Sequence, residues 1–149
     1  MGNLDWNNYF LGIAEQVKLK SKDESTQIGA VIVGKDKEIL STGYNSFPRG
    51  LDDNLPERQE RPEKYFWFEH AERNAIYNAA RVGVSIDNSE IYLTSGLPCC
   101  DCSRGIINSG IKKVHCKKEC TTKNKDKWVE QQTKSFIMLK ECGVEVIFY

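Results

Sequence analysis

Two short segments constrain this chain more than anything else in it: His70-Ala71-Glu72 and Pro98-Cys99-Cys100-Asp101-Cys102. Each falls at the expected start of a helix, and each follows a predicted strand or loop. Cys99 and Cys102 stand three apart, so on a helix they share a face. Two thiolates and one imidazole make a good shell for Zn2+, and three protein ligands rather than four leave one coordination position open. That is the pattern of a reactive metal, because an open position takes water and lowers its pKa to roughly 7. Glu72, two residues past His70, lies in the first helical turn. It can sit beside the metal without ligating it and move a proton between water and a substrate. Both ligand segments open helices, so backbone N–H groups point toward the site and favour the thiolate forms of Cys99 and Cys102.

The rest of the chain supplies the frame. Leu4, Tyr9, Phe10, Ile13, Ala14 and Val17 recur at helical spacing, which predicts an amphipathic helix over Asp5 to Lys20. Gly29 to Val33 is a short β-branched run, Gly34 to Lys37 a hairpin turn, and Glu38 to Tyr44 the return strand. Asn45 to Phe68 is irregular, with Pro48, Gly50, Pro56 and Pro62, and a loop of this length is functional or mobile as a rule. Helices follow over His70 to Val82, with Ala71, Ala75, Ile76, Ala79 and Ala80 along one side, over Cys99 to Ser109, and over Lys127 to Cys142. Strands are expected at Glu90 to Thr94, Lys112 to Cys116 and Val144 to Tyr149. The order α-β-β-α-β-α-β-α-β makes an α/β domain over residues 1–149, with helices on both faces of a five-stranded mixed sheet.

Lys plus Arg and Asp plus Glu each number 21, so the formal charge is zero. That argues against a protein that coats a nucleic-acid polymer, which wants a basic footprint, and leaves small anionic ligands open. No apolar run nears the roughly 20 residues that span a bilayer, so no membrane partner is expected. The N-terminus carries neither a basic n-region nor an apolar h-region, and a cytoplasmic protein is expected. The six cysteines, Cys99, Cys100, Cys102, Cys116, Cys120 and Cys142, all lie in the last third, which points to metal or catalysis rather than to disulfides.

The H-x-E…P-C-x-x-C pair is the known signature of zinc deaminases that act on nucleobases, with the Glu as acid and base. Further segments extend the likeness. Trp6 to Ala14 resembles an opening helix, and Ser21 to Val33 is similar to a first loop and strand. Gly43-Tyr44-Asn45-Ser46-Phe47-Pro48-Arg49-Gly50 resembles a GYNGxPxG segment, His70 to Ile76 an HAExNAI helix, and Ile106 to Val114 the approach to the next strand. Together they resemble the cytidine deaminase-like superfamily and, within it, the deoxycytidylate (dCMP) deaminases.

The resemblance implies a three-layer α/β/α cytidine deaminase-like fold. It implies zinc on His70, Cys99 and Cys102, attack of zinc-held hydroxide at C4 of cytosine, and Glu72 protonating N3 and then the leaving amine. The products are dUMP, for thymidylate synthesis, and ammonia. It further implies substrate contacts at Asn45, Ala71, Ser95 and Pro98, phosphate or effector contacts at Lys22 and Arg49, a homo-oligomer, and dCTP and dTTP as effectors. Three positions depart from the pattern: Ser46 replaces a Gly, Cys100 stands between the zinc cysteines, and Cys120-Thr121 stand where a substrate-reaching tyrosine is common. Two alternatives remain at this point, a tRNA adenosine or other nucleobase deaminase and a non-catalytic zinc or nucleotide-binding module.

Other residues read as ordinary structure. His115 and Cys116 are neighbours on a strand and point to opposite faces, which disfavours a second metal with Cys120. Cys142 is expected to be a packed thiol, Trp128 a core residue, and Trp67 and Phe68 core or a wall of the base pocket. Arg58 and Arg61 join Lys22 and Arg49 as candidate phosphate partners. The lysine run from Lys112 to Lys127 reads as solvated surface.

Overall fold

The computed structural model describes residues 2–118 and 125–149; Cys120 and Thr121 lie outside them. Helix α1 (Trp6–Lys18) starts at Asp5, whose side chain accepts the Asn8 N–H at 2.9 Å. Its one buried stripe is Phe10 and Ala14. Leu4 and Tyr9, expected on that stripe, are exposed, because they sit outside the arc that meets the sheet. Strands β1 (Gly29–Val33) and β2 (Ile39–Tyr44) form the expected hairpin. Then come α2 (Lys64–Trp67), α3 (Ala71–Val82), β3 (Glu90–Leu93), α4 (Cys100–Asn108), β4 (Lys113–Cys116), α5 (Lys125–Glu141) and β5 (Glu145–Phe148).

The sheet runs β2-β1-β3-β4-β5. β1 is antiparallel to both neighbours, while β3, β4 and β5 are parallel. The parallel pairs need crossovers, and α4 and α5 supply them. Alternation along β1 divides the core. Val31 and Val33 meet Phe10, Ala14 and Tyr92 on one face, whereas Ala30 and Ile32 meet Ala71, Ala75, Ala79, Ile106 and Leu139 on the other. The layers are thus uneven, with α1 on one face and α3, α4 and α5 on the other. Ala80, expected on the inner side of α3, is exposed, since the stripe narrows to Ala71, Ala75 and Ala79.

Two glycines let helices lie close on the sheet. A methyl on Gly29 would come within 2.1 Å of the Ala14 carbonyl oxygen, and one on Gly43 within 2.3 Å of the Ala75 nitrogen. With Gly43 bare, α3 settles on β2, and Asn74 and Asn78 donate to the Tyr44 and Thr42 carbonyls, each at 2.8 Å.

The irregular segment is more ordered than its composition predicts. It holds a 3-10 turn (Pro56–Gln59) and α2, and returns to the sheet through a bridge between Ser46 and Glu69. Phe68 packs on Phe47 with centroids 4.2 Å apart, and Trp67 lies under Arg58 at 4.2 Å. Trp128 is half-buried. Cys142 corrects an expectation: it is exposed, because Leu139 and Val144 fill the inward places on either side of it. His115 and Cys116 do face opposite ways, His115 stacking on Tyr92 at 4.0 Å and Cys116 joining the core under α3. Among the described residues no helix is long and apolar enough to cross a membrane.

Candidate active site and metal centre

Antiparallel β1 and parallel β3 and β4 bring the start of β1 and the ends of β2, β3 and β4 to one end of the sheet. Gly29 N donates to Thr94 Oγ1 at 3.0 Å there, and Lys117 N to the Ser95 carbonyl at 2.8 Å. α3 and α4 both begin at this end. His70 is the N-cap of α3, with extended backbone, and Cys99 is the N-cap of α4, its sulfur accepting the Cys102 N–H at 3.4 Å. Both ligand segments are therefore seated at helix N-termini, as the spacing predicted.

His70 Nδ1 lies 3.5 Å from Cys99 Sγ and 3.4 Å from Cys102 Sγ, and the three donor atoms fall within 4.8 Å of one another. Ligands at about 2.3 Å (S) and about 2.0 Å (N) from one tetrahedral ion would be about 3.5 Å apart. The set fits zinc in distance and in donor chemistry. Glu72, 4% exposed, places Oε2 at 3.7 Å from Cys102 Sγ. Burial pushes its carboxyl above the ordinary range, and the Cys99 charge adds to that against the lowering effect of His70. The thiols differ from the expectation of two alike thiolates. Cys99 is held down to about 4, first by the hydrogen bond from Cys102 and then by His70. Cys102 is pushed up because it donates that bond and because it is buried. Without metal the sulfurs share a proton that a bound cation displaces.

One residue of the site was missed from sequence. Arg73 donates through Nε to Glu69 Oε1 at 2.6 Å and reaches Asp101 Oδ2 at 3.5 Å, so it spans both ligand segments. Glu69 Oε1 also accepts the His70 N–H at 2.9 Å. The Glu69–Arg73 spacing of four was the available signal. Cys100 turns away from the metal: its N–H and thiol bond Gln131 on α5.

Among the expected substrate contacts, Ala71 and Pro98 are buried beside the ligands in sequence, and Ser95 is half-buried after β3. Asn45 is committed internally. Its Oδ1 accepts the Ile28 N–H at 2.8 Å, and Nδ2 donates to Thr26 O at 2.8 Å and Asp23 Oδ2 at 3.3 Å. Ser46 Oγ accepts from Asn74 at 3.2 Å. Lys22 pairs with Asp53 at 2.7 Å and Arg49 donates to Asn78 at 2.8 Å. Both line a cleft of about 410 Å³ with Lys20 and Arg81, and none of His70, Glu72, Cys99 or Cys102 lines it. Arg58 donates to the Asp52 carbonyl at 2.6 Å and Arg61 to Ser25 Oγ at 3.4 Å, within the irregular segment.

Among the described residues, three ligand side chains with a buried acid beside them, at the end of an α/β/α mixed sheet, define the class: zinc-dependent deaminases of the cytidine deaminase-like fold. Residues 4–118 match the family model for the cytidine and deoxycytidylate deaminase zinc-binding region, and the chain belongs to that family. It is 40% identical to the uncharacterized deaminase in the luxG 3' region of Aliivibrio fischeri, over 95% of this chain and 91% of that one. It is 37% identical to the deoxycytidylate deaminase of Homo sapiens over 74% of this chain, but spans only 64% of that relative's length. The crystal structure of the dCMP deaminase of cyanophage S-TIM5 in complex with dCMP and dUMP superposes with a TM-score of 0.77 at 29% identity, covering 100% of both chains.

Proposed function

We propose that this protein hydrolyses dCMP to dUMP and ammonia. The observation that carries the reading is the three-ligand set around His70 Nδ1 with Glu72 buried against it, in a chain that superposes end to end on a phage enzyme bound to dCMP and dUMP. Zinc on His70, Cys99 and Cys102 supplies a Lewis acid with one open position, which makes water reactive near neutral pH. Glu72 takes the proton of the incoming water, delivers it to N3 of the ring, and then carries a proton to the exocyclic nitrogen. A C4–O bond forms, the C4–N4 bond breaks, and the nitrogen leaves as ammonia. A raised carboxyl suits a group that must hold a proton between those two deliveries.

Ala71, Ser95, Pro98 and Asn45 are the proposed substrate walls. Both Asn45 amide protons are committed, so it keeps one Oδ1 lone pair to accept from a sugar hydroxyl. The cleft with Lys20, Lys22, Arg49 and Arg81 suits the phosphates of dCTP or dTTP, and we assign regulation there, in a homo-oligomer. Thiol ligands need a reducing compartment, which supports a cytoplasmic site of action.

The test offers the zinc-loaded protein dCMP, CMP, deoxycytidine, dCTP and a tRNA anticodon stem in parallel, with ammonia release as readout. The dCMP rate is expected to lead by about tenfold or more in kcat/KM. Equal or faster turnover of the nucleoside or the RNA stem overturns the assignment. The same assay with added dCTP or dTTP reads the regulation; hyperbolic curves that neither shifts count against it.

A further inference from the structure

Asp23 and Lys64 are both buried, 8% and 5% exposed. Two charges out of water are tolerated only where their remaining protons and lone pairs are satisfied. Here the satisfaction is dense. Lys64 Nζ donates to both Asp23 oxygens and to Ser25 Oγ, each at 2.9 Å. Asp23 Oδ1 also accepts the Ser25 and Thr26 N–H groups at 2.8 and 3.2 Å, and Oδ2 accepts from Asn45 at 3.3 Å. The pair thereby joins three segments distant in sequence: the loop before β1, the residue after β2, and α2. The Lys64 ammonium also stands over the Phe68 ring at 5.3 Å, and Phe68 packs on Phe47.

These segments meet at the sheet end that carries the metal ligands, yet among the described residues Asp23, Ser25 and Lys64 share no hydrogen bond or ion pair with His70, Cys99 or Cys102. Neither apolar cluster of the core contains a residue between Asn45 and Glu69. That segment is held by polar bonds, with the buried pair at their centre, and by the local Phe47–Phe68 packing, so losing the pair loosens a wall rather than the core.

We propose that Lys64, through Asp23, is a positioning residue for the substrate side of the site: it sets Asn45, while the metal side stands independently. The proposal rests on the reading of Asn45 as a substrate wall, not on which nucleotide is bound.

Lys64→Met keeps the apolar stem and removes the charge. Wild type and variant are compared on whichever nucleotide the wild type turns over fastest, so a failed dCMP assignment leaves the test intact. KM is expected to rise about tenfold or more, with kcat within about threefold and zinc still at one per chain. Ser25→Ala removes one Lys64 acceptor and keeps the pair; its KM is expected to rise about threefold. A lower melting temperature with unchanged KM in Lys64→Met overturns the proposal, as does loss of zinc with KM unchanged. Should Lys64→Met fail to fold, an unchanged KM in Ser25→Ala overturns it.

Discussion

Glu72 is buried, flanked by the Cys99 charge, and hydrogen-bonded by the Cys102 thiol, and its burial favours the protonated form. The amide of Glu72→Gln has nearly the same shape but cannot accept and return a proton. Turnover is expected to fall by about 10²–10⁴, while zinc stays at one per chain by metal analysis; an undiminished rate removes Glu72 from the chemistry. The grouping of Glu72 with the ligand side chains was legible in the sequence because the constellation is local. His70 and Glu72 are two apart, Cys99 and Cys102 three apart, and helix geometry alone sets both pairs. What was illegible at this scale depended on distant elements. Cys100 was only a departure from the family pattern between Cys99 and Cys102 until α5 supplied Gln131 as its partner. Asn45 looked free to meet a ligand until the loop before β1 engaged its amide.

At the scale of elements, period and punctuation carried the strands and helices to within a residue or two, because N-caps and glycines mark their ends. His70 and Cys99 proved to be caps rather than first helical residues. The segment after Asn45 was unreadable, since polar bonds to Asp23 from 41 residues away hold it in place of a periodic apolar face. The β3–β4 pair carries a further consequence. His115 Nε2 lies 3.0 Å from Glu90 Oε1, with Tyr92, Lys113 and Glu145 also bearing on it. Burial lowers its pKa, and the hydrogen bond and charge of Glu90 only partly oppose that. The fold therefore prefers neutral His115. Its contribution is full above the ordinary histidine value and is lost as pH falls through that value toward the lower folded one. Unfolding free energies from urea titrations should fall more steeply between pH 8 and pH 5 in wild type than in His115→Gln, by at most about 1.4 kcal/mol per pH unit. Parallel slopes would mean that His115 takes up its proton equally in the folded and unfolded chain, against the lowering.

For the whole molecule, the element order sufficed for a mixed α/β sheet with helices on both faces, but not for their uneven division. Right-handed crossovers between the parallel neighbours β3, β4 and β5 put α4 and α5 on one face, and that follows only from the strand order, which no local pattern reveals. That division separates the metal from the mass of the core. The buried side chains of β1, β3 and β4 pack against α1 on one face and α3, α4 and α5 on the other, and the ligands sit only at the helix starts. A zinc that held the fold would have four protein ligands and little core around it, whereas the described residues offer three and lie over two apolar clusters. Chelation should therefore abolish turnover while far-UV circular dichroism is retained. The melting temperature should drop, because a ligand that binds only the folded state stabilises it by mass action. Removal should also take protons from solution, since the two sulfurs regain the one they share without metal. Returning zinc should restore rate and melting temperature together. Loss of the circular dichroism signal on chelation would instead make the metal part of the scaffold, and count against a catalytic role for it.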